Sequence, residues 1–125
     1  VNILLVDDEE ELVSTLAERL GFRGIEARWA TSAEQAMEKI AAHHFDVAVL
    51  DVKMPRISGL ELMDMIRQKQ PDMKFIFLTG HGSEADFQQG CRSGACFYLI
   101  KPVRIDDLVG KINEATGHPP ASTGN

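Results

Sequence analysis

The chain has 125 residues, room for one domain with a proper hydrophobic core and little beyond it. Its 19 acidic residues outnumber 13 basic ones for a net charge of −6, and the basic residues are scattered, which argues against direct nucleic-acid binding through a basic patch. Cys91 and Cys96 are too few for a disulfide framework or a cysteine-built metal site, and no apolar stretch reaches membrane-spanning length. The expectation is a cytoplasmic protein in which both cysteines are reduced apolar packers.

Taken in order, Asn2-Ile3-Leu4-Leu5-Val6 is a short apolar run ending in acid, Asp7-Asp8. Glu9, Glu10 and Glu11 suit the first turn of a helix, Leu12, Val13, Leu16, Ala17 and Leu20 recur at helical spacing, and Gly21 is its predicted stop. Ile25 to Trp29 mixes apolar residues with Glu26 and Arg28, the alternation of an edge strand. Ser32 with Gln35 offers a capping box for a second helix, striped by Ala33, Ala36, Met37, Ile40 and Ala41. Val47-Ala48-Val49-Leu50-Asp51 then reads as a strand buried on both faces.

Pro55 and Gly59 bracket a turn, and Leu60, Leu62, Met63 and Ile66 predict a third helix ending before Pro71. Lys74 to Leu78 is the fourth strand, closed by Thr79. Gly80-His81-Gly82 is a loop, and Ser83 caps a predicted helix running to about Ser93, loosened by Gly90 inside it. Phe97 to Ile100 is the fifth strand, followed by Lys101-Pro102, and Ile105, Leu108, Val109 and Ile112 line a last helix. Residues 1–116 are expected to form the domain, and residues 117–125 a flexible tail or the start of a linker. Trp29 and the methionines are expected to pack, and His43-His44 to be a solvated pair.

Regular strand-helix alternation predicts an α/β, doubly wound parallel sheet of the flavodoxin-like (βα)5 kind with strand order 2-1-3-4-5. In that order the first and third strands are neighbours at the switch point, so Asp7, Asp8 and Asp51 converge at their carboxyl ends, and Thr79 and Lys101 lie on the same edge. Carboxylates forced together repel one another unless cations neutralise them, and an all-oxygen donor set suits a hard cation such as Mg²⁺. Together with the ammonium of Lys101 and the hydroxyl of Thr79, these are the parts needed for Asp51 to receive a phosphoryl group.

From about Asn2 to Ala115 the chain resembles the receiver domain of two-component response regulators. Asp7-Asp8 resembles the family's acidic pair, Asp51 its phosphoacceptor, Met54-Pro55-Arg56-Ile57-Ser58-Gly59 its loop after the third strand, Thr79 its switch hydroxyl, Tyr98 its switch aromatic and Lys101-Pro102 its closing pair. The resemblance implies a cis bond before Pro102, a metal ligand in the backbone carbonyl of Lys53, and a sensor histidine kinase or phosphotransfer protein as phosphodonor. It also implies a switch in which Thr79 moves inward, Tyr98 follows, and the face of the Ser83–Ser93 helix, the fifth strand and the last helix changes. That face would serve an output domain outside this chain or a homodimer. The run Thr79-Gly80-His81-Gly82 resembles receivers of the nitrogen-regulation type.

Lys53, Gly80 and His81 depart from the commonest pattern and are expected to tune the lifetime of the phosphoaspartate. Singly, the motifs have ordinary readings: Asp7-Asp8 as helix caps, Tyr98 as a strand aromatic, His81 as a loop residue. Two other functions compete with a phosphoaccepting switch that is not itself an enzyme. An aspartate-nucleophile phosphohydrolase would need a second Asp where Lys53 stands, and flavin binding would need a phosphate loop where Asp7 to Glu11 would repel one. A receiver-like interaction module that is never phosphorylated is the third alternative.

Overall fold

A computed structural model describes residues 1–80 and 97–117. The elements are β1 (Asn2–Val6), α1 (Glu10–Phe22), β2 (Glu26–Ala30), α2 (Ala33–Ala42), β3 (Val47–Asp51), α3 (Gly59–Lys69), β4 (Lys74–Thr79), β5 (Phe97–Ile100) and α4 (Ile105–Ala115). The Ser83–Ser93 helix, His81, both cysteines and the tail beyond Gly117 lie outside the described residues, so those expectations stand as expectations.

The strands form one parallel sheet in the order β2-β1-β3-β4-β5, the predicted flavodoxin-like architecture. Successive side chains on each strand alternate between two cores. Leu4, Val6, Ala48, Leu50, Phe75 and Phe77 face the side covered by α2 and α3. Ile3, Leu5, Val47, Val49, Ile76 and Leu78 face the side covered by α1 and α4. Every residue of β3 is buried, as expected of a central strand covered on both faces. Trp29 packs against the second core and Met63 and Met73 are buried, but Met65 on α3 is exposed, a departure from the expectation that the methionines pack. None of the described helices is long and apolar enough to cross a membrane.

Two local expectations are corrected, and one cap that the sequence reading did not name is found. The first helix does not stop at Gly21 but runs one residue on, and the left-handed residue is Gly24, at φ 78°, where a side chain would be strained. The Ser32–Gln35 capping box is half made: Ser32 Oγ accepts the N–H of Gln35, whereas Gln35 Oε1 accepts from the N–H and hydroxyl of Thr31. The complete box belongs to α3, where Ser58 and Glu61 cap one another in a Ser-x-x-Glu run that the turn residues around it obscured.

Candidate functional site

The register puts the acids together. Val6 pairs with Leu50, so Asp7 and Asp51 leave adjacent strands side by side, and carboxylate oxygens of Asp7, Asp8 and Asp51 all lie within 4.8 Å of one another. Among the described residues no other group of His, Cys, Asp or Glu gathers in this way. The exposed His43 ring instead stands edge-on to Phe45 at 6.2 Å.

Asp51 is placed by the turn that follows it. Lys53 N–H donates to Asp51 Oδ1 at 3.2 Å, and Arg56, at φ 71°, centres a three-residue turn closed by Ile57 N–H on Pro55 O at 2.8 Å. The reversal brings Gly59 N–H back to Val52 O at 2.9 Å. A Cβ at Gly59 would stand 2.3 Å from the backbone oxygen of Asp51, so only glycine lets α3 start this close to the end of β3.

Lys101 reaches the acids from the other edge. Its N–H donates to Thr79 O at 2.7 Å, which ties the end of β5 to that of β4, and its bond to Pro102 is cis, as the resemblance implied. Its Nζ lies 2.7 Å from Asp7 Oδ2, 3.2 Å from Glu9 Oε1 and 3.5 Å from Asp51 Oδ2. Glu9 is the site residue that sequence reasoning passed over, counting it only as a favourable charge at a helix start. Its one signal is that a third acid follows Asp7-Asp8 directly at the strand end.

Burial dominates the electrostatics. It raises the Asp51 carboxyl to about 6, with the neighbouring charge of Asp7 adding to the rise against the pull of Lys101. Burial raises Asp7 as well, opposed by Lys101 and by the Glu9 N–H, which donates to Asp7 Oδ1 at 2.9 Å. Burial opposes the charge on Lys101 too, but the carboxylates of Asp7, Asp51 and Glu9 outweigh it and hold the ammonium above the ordinary lysine value.

Two buried oxygens in the described residues lack a hydrogen-bond partner, Asp7 Oδ2 and Thr79 Oγ1. Asp7 Oδ2 meets Lys101 Nζ as an ion pair at 2.7 Å, without the alignment of a hydrogen bond. A buried acceptor short of donors among three carboxylates fits a bound hard cation, so the residues present suit a metal ion. Thr79, Phe77, Tyr98 and Ile100 share one face of the sheet, because Phe77 pairs with Tyr98 and Thr79 with Ile100. Tyr98 is partly exposed on that face. Lys53 is exposed, and a Cβ at Gly80 would meet open space.

The profile of the response regulator receiver domain matches residues 3–113. PhoP of Pseudomonas aeruginosa is 32% identical over 113 residues, 90% of this chain and 50% of PhoP. MprA of Mycobacterium ulcerans is 35% identical over 112 residues, 90% of this chain and 48% of MprA. The chain thus spans about half the length of these curated relatives. Among solved structures, a response regulator receiver domain protein from Clostridium thermocellum superposes with a TM-score of 0.85 at 33% identity, over 94% of each chain. The receiver domain of NtrX from Brucella abortus gives 0.84 at 30% identity, over 92% of this chain and 98% of that one. With a fold, a strand-end acid cluster and a profile that agree, the chain belongs to the response regulator receiver domain family, the phosphorylation-dependent signalling module of two-component systems.

Proposed function

We propose that Asp51 accepts a phosphoryl group from a sensor histidine kinase or phosphotransfer protein in a Mg²⁺-dependent reaction. The observation that carries this reading is the setting of Asp51: Oδ1 is held by the Lys53 N–H, and Oδ2 faces Lys101 beside Asp7 and Asp8. A carboxylate oxygen of Asp51 gives an electron pair to phosphorus, the bond from phosphorus to the donor's imidazole nitrogen breaks, and that nitrogen keeps its pair. Asp7, Asp8, Asp51 and the backbone carbonyl of Lys53 would hold Mg²⁺, which when bound supplies positive charge against the phosphoryl oxygens. Lys101 supplies a second positive charge. The unpartnered hydroxyl of Thr79 donates to a phosphoryl oxygen once one arrives.

The signal then passes along the sheet face shared by Thr79 and Tyr98. Tyr98 turns inward and alters the surface of residues 83–93, β5 and α4, where a homodimer partner or an output domain outside this chain docks. Lys53 and His81, with the open space at Gly80, set how long the phosphoaspartate lasts. The domain, residues 1–116, promotes its own phosphorylation and dephosphorylation and turns over no separate substrate. It works in the cytoplasm without contacting nucleic acid or membrane directly. The run Thr79-Gly80-His81-Gly82 is the feature that would place it among receivers of the nitrogen-regulation type.

Incubation with acetyl phosphate, with and without Mg²⁺, followed by intact mass measurement tests the reading. The expected result is a base-labile gain of one phosphoryl group that needs Mg²⁺ and is absent from Asp51→Asn. Fast hydrolysis of the donor with no accumulating adduct would favour a phosphohydrolase, and neither adduct nor hydrolysis would favour an interaction module.

A further inference from the structure

We infer that Glu9 is a positioning residue for Lys101, an internal competitor that holds the ammonium at the rim of the site until a phosphoryl group displaces it. This rests on the phosphoacceptor reading of Asp51. Glu9 stands at the N-cap of α1, yet its side chain makes no capping hydrogen bond and turns across the site to Lys101, 92 residues away in sequence, which donates to Glu9 Oε1 at 3.2 Å.

An ammonium has three N–H donors, and three carboxylates surround this one. Asp51 has the weakest share, at 3.5 Å, the limit of a hydrogen bond. Phosphorylation adds oxygens and charge at Asp51 and raises the demand on Lys101, so one of its present partners must give way. Asp7 is fully buried and 2.7 Å away, and the Mg²⁺ it would hold takes over its charge, so Asp7 is not the partner that keeps Lys101 from a phosphoryl group. The Glu9 side chain is 65% exposed, and water takes it back at little cost. The acid that releases Lys101 is therefore Glu9, and the contact favours the unphosphorylated arrangement.

The test measures affinity for beryllofluoride in the presence of Mg²⁺. Glu9→Asp keeps the charge but is one methylene too short to reach Lys101, and Glu9→Gln removes the charge. Both variants should bind beryllofluoride more tightly than the parent by roughly two- to five-fold, the worth of an exposed ion pair. In a Lys101→Met background the Glu9→Asp effect should vanish, and Glu9→Asp should leave the affinity for Mg²⁺ alone unchanged. Equal beryllofluoride affinity in parent and Glu9→Asp would overturn the inference while leaving the phosphoacceptor reading intact. So would a gain that survives Lys101→Met or is matched by a gain in Mg²⁺ affinity. If the parent binds no beryllofluoride, the phosphoacceptor reading falls and this inference falls with it.

Discussion

The two ends of the sheet are built on opposite terms. At the amino-terminal ends the polar groups named here are paired. Asn2 N–H donates to Asp46 Oδ2 at 2.8 Å, while Asp46 N–H returns to Asn2 O and Lys74 N–H bonds Asp46 O, so the starts of β1, β3 and β4 are tied to one loop residue. Gln70 closes the same end: its Nε2 donates to the carbonyls of Ile40 and His43, and its Oε1 accepts from Phe45 N–H. At the carboxyl ends three carboxylates crowd together and two buried oxygens go without hydrogen bonds. Satisfied polar groups stabilise a fold, whereas unsatisfied ones are retained where a ligand completes them. One end is closed by hydrogen bonds; the other leaves buried oxygens unpaired, as the proposed phosphoacceptor site requires.

Mutations at the two ends should therefore differ in sign as well as in size. The largest effect is expected where the reactive end is held in shape. Gly59→Ala puts a methyl group 2.3 Å from the Asp51 backbone oxygen, and the β3–α3 junction must shift at a cost of about 3 kcal/mol, read as a lower urea midpoint.

Next comes a gain. Between the ordinary carboxylate value of 3.8 and about 6, folded Asp51 keeps a proton that the unfolded chain has released. Stability without divalent ions therefore falls as pH rises through that window, by at most about 3 kcal/mol. Asp51→Asn should flatten this fall and be the more stable protein at neutral pH in EDTA, as measured by urea titrations on either side of the window. A less stable Asp51→Asn would refute the contrast between the ends.

At the amino-terminal end only losses are expected. Gln70→Ala should cost about 2 kcal/mol, since it strands the groups that Gln70 satisfies, and Mg²⁺ should not change the loss. The smallest effect belongs to neither end. Arg23 and Asp106 meet at 2.6 Å between α1 and α4, but their side chains are 45% and 69% exposed, so Arg23→Ala should leave the thermal unfolding midpoint nearly unchanged.

Much of the reactive end was legible in the residue order because Asp7, Asp51, Thr79 and Lys101 each stand where an apolar run stops. A run marks a strand and its end marks the sheet edge, so a parallel order brings those residues together without any knowledge of packing. The amino-terminal end gave no such signal. Gln70 and Asp46 are common residues near helix ends and loops, and their roles appear only when α2, α3 and β3 have packed. The capping box at Ser58 was hidden for another reason: Pro55 and Gly59 dominate a reading of local turn chemistry, and Gly59 proves to be needed for close approach to Asp51 rather than for a turn.

By itself, the sequence determined the element order, the buried central strand and the acids at the strand ends, because periodicity and turn residues act over a few positions. Tertiary structure alone decided how Lys101 is shared among Asp7, Glu9 and Asp51, and left Asp7 Oδ2 and Thr79 Oγ1 without hydrogen bonds. Those outcomes depend on angstrom-scale distances between residues far apart in the chain, Lys101 and Asp7 among them, and burial, which moves the charges of Asp7 and Asp51, exists only once the sheet and helices have closed over them.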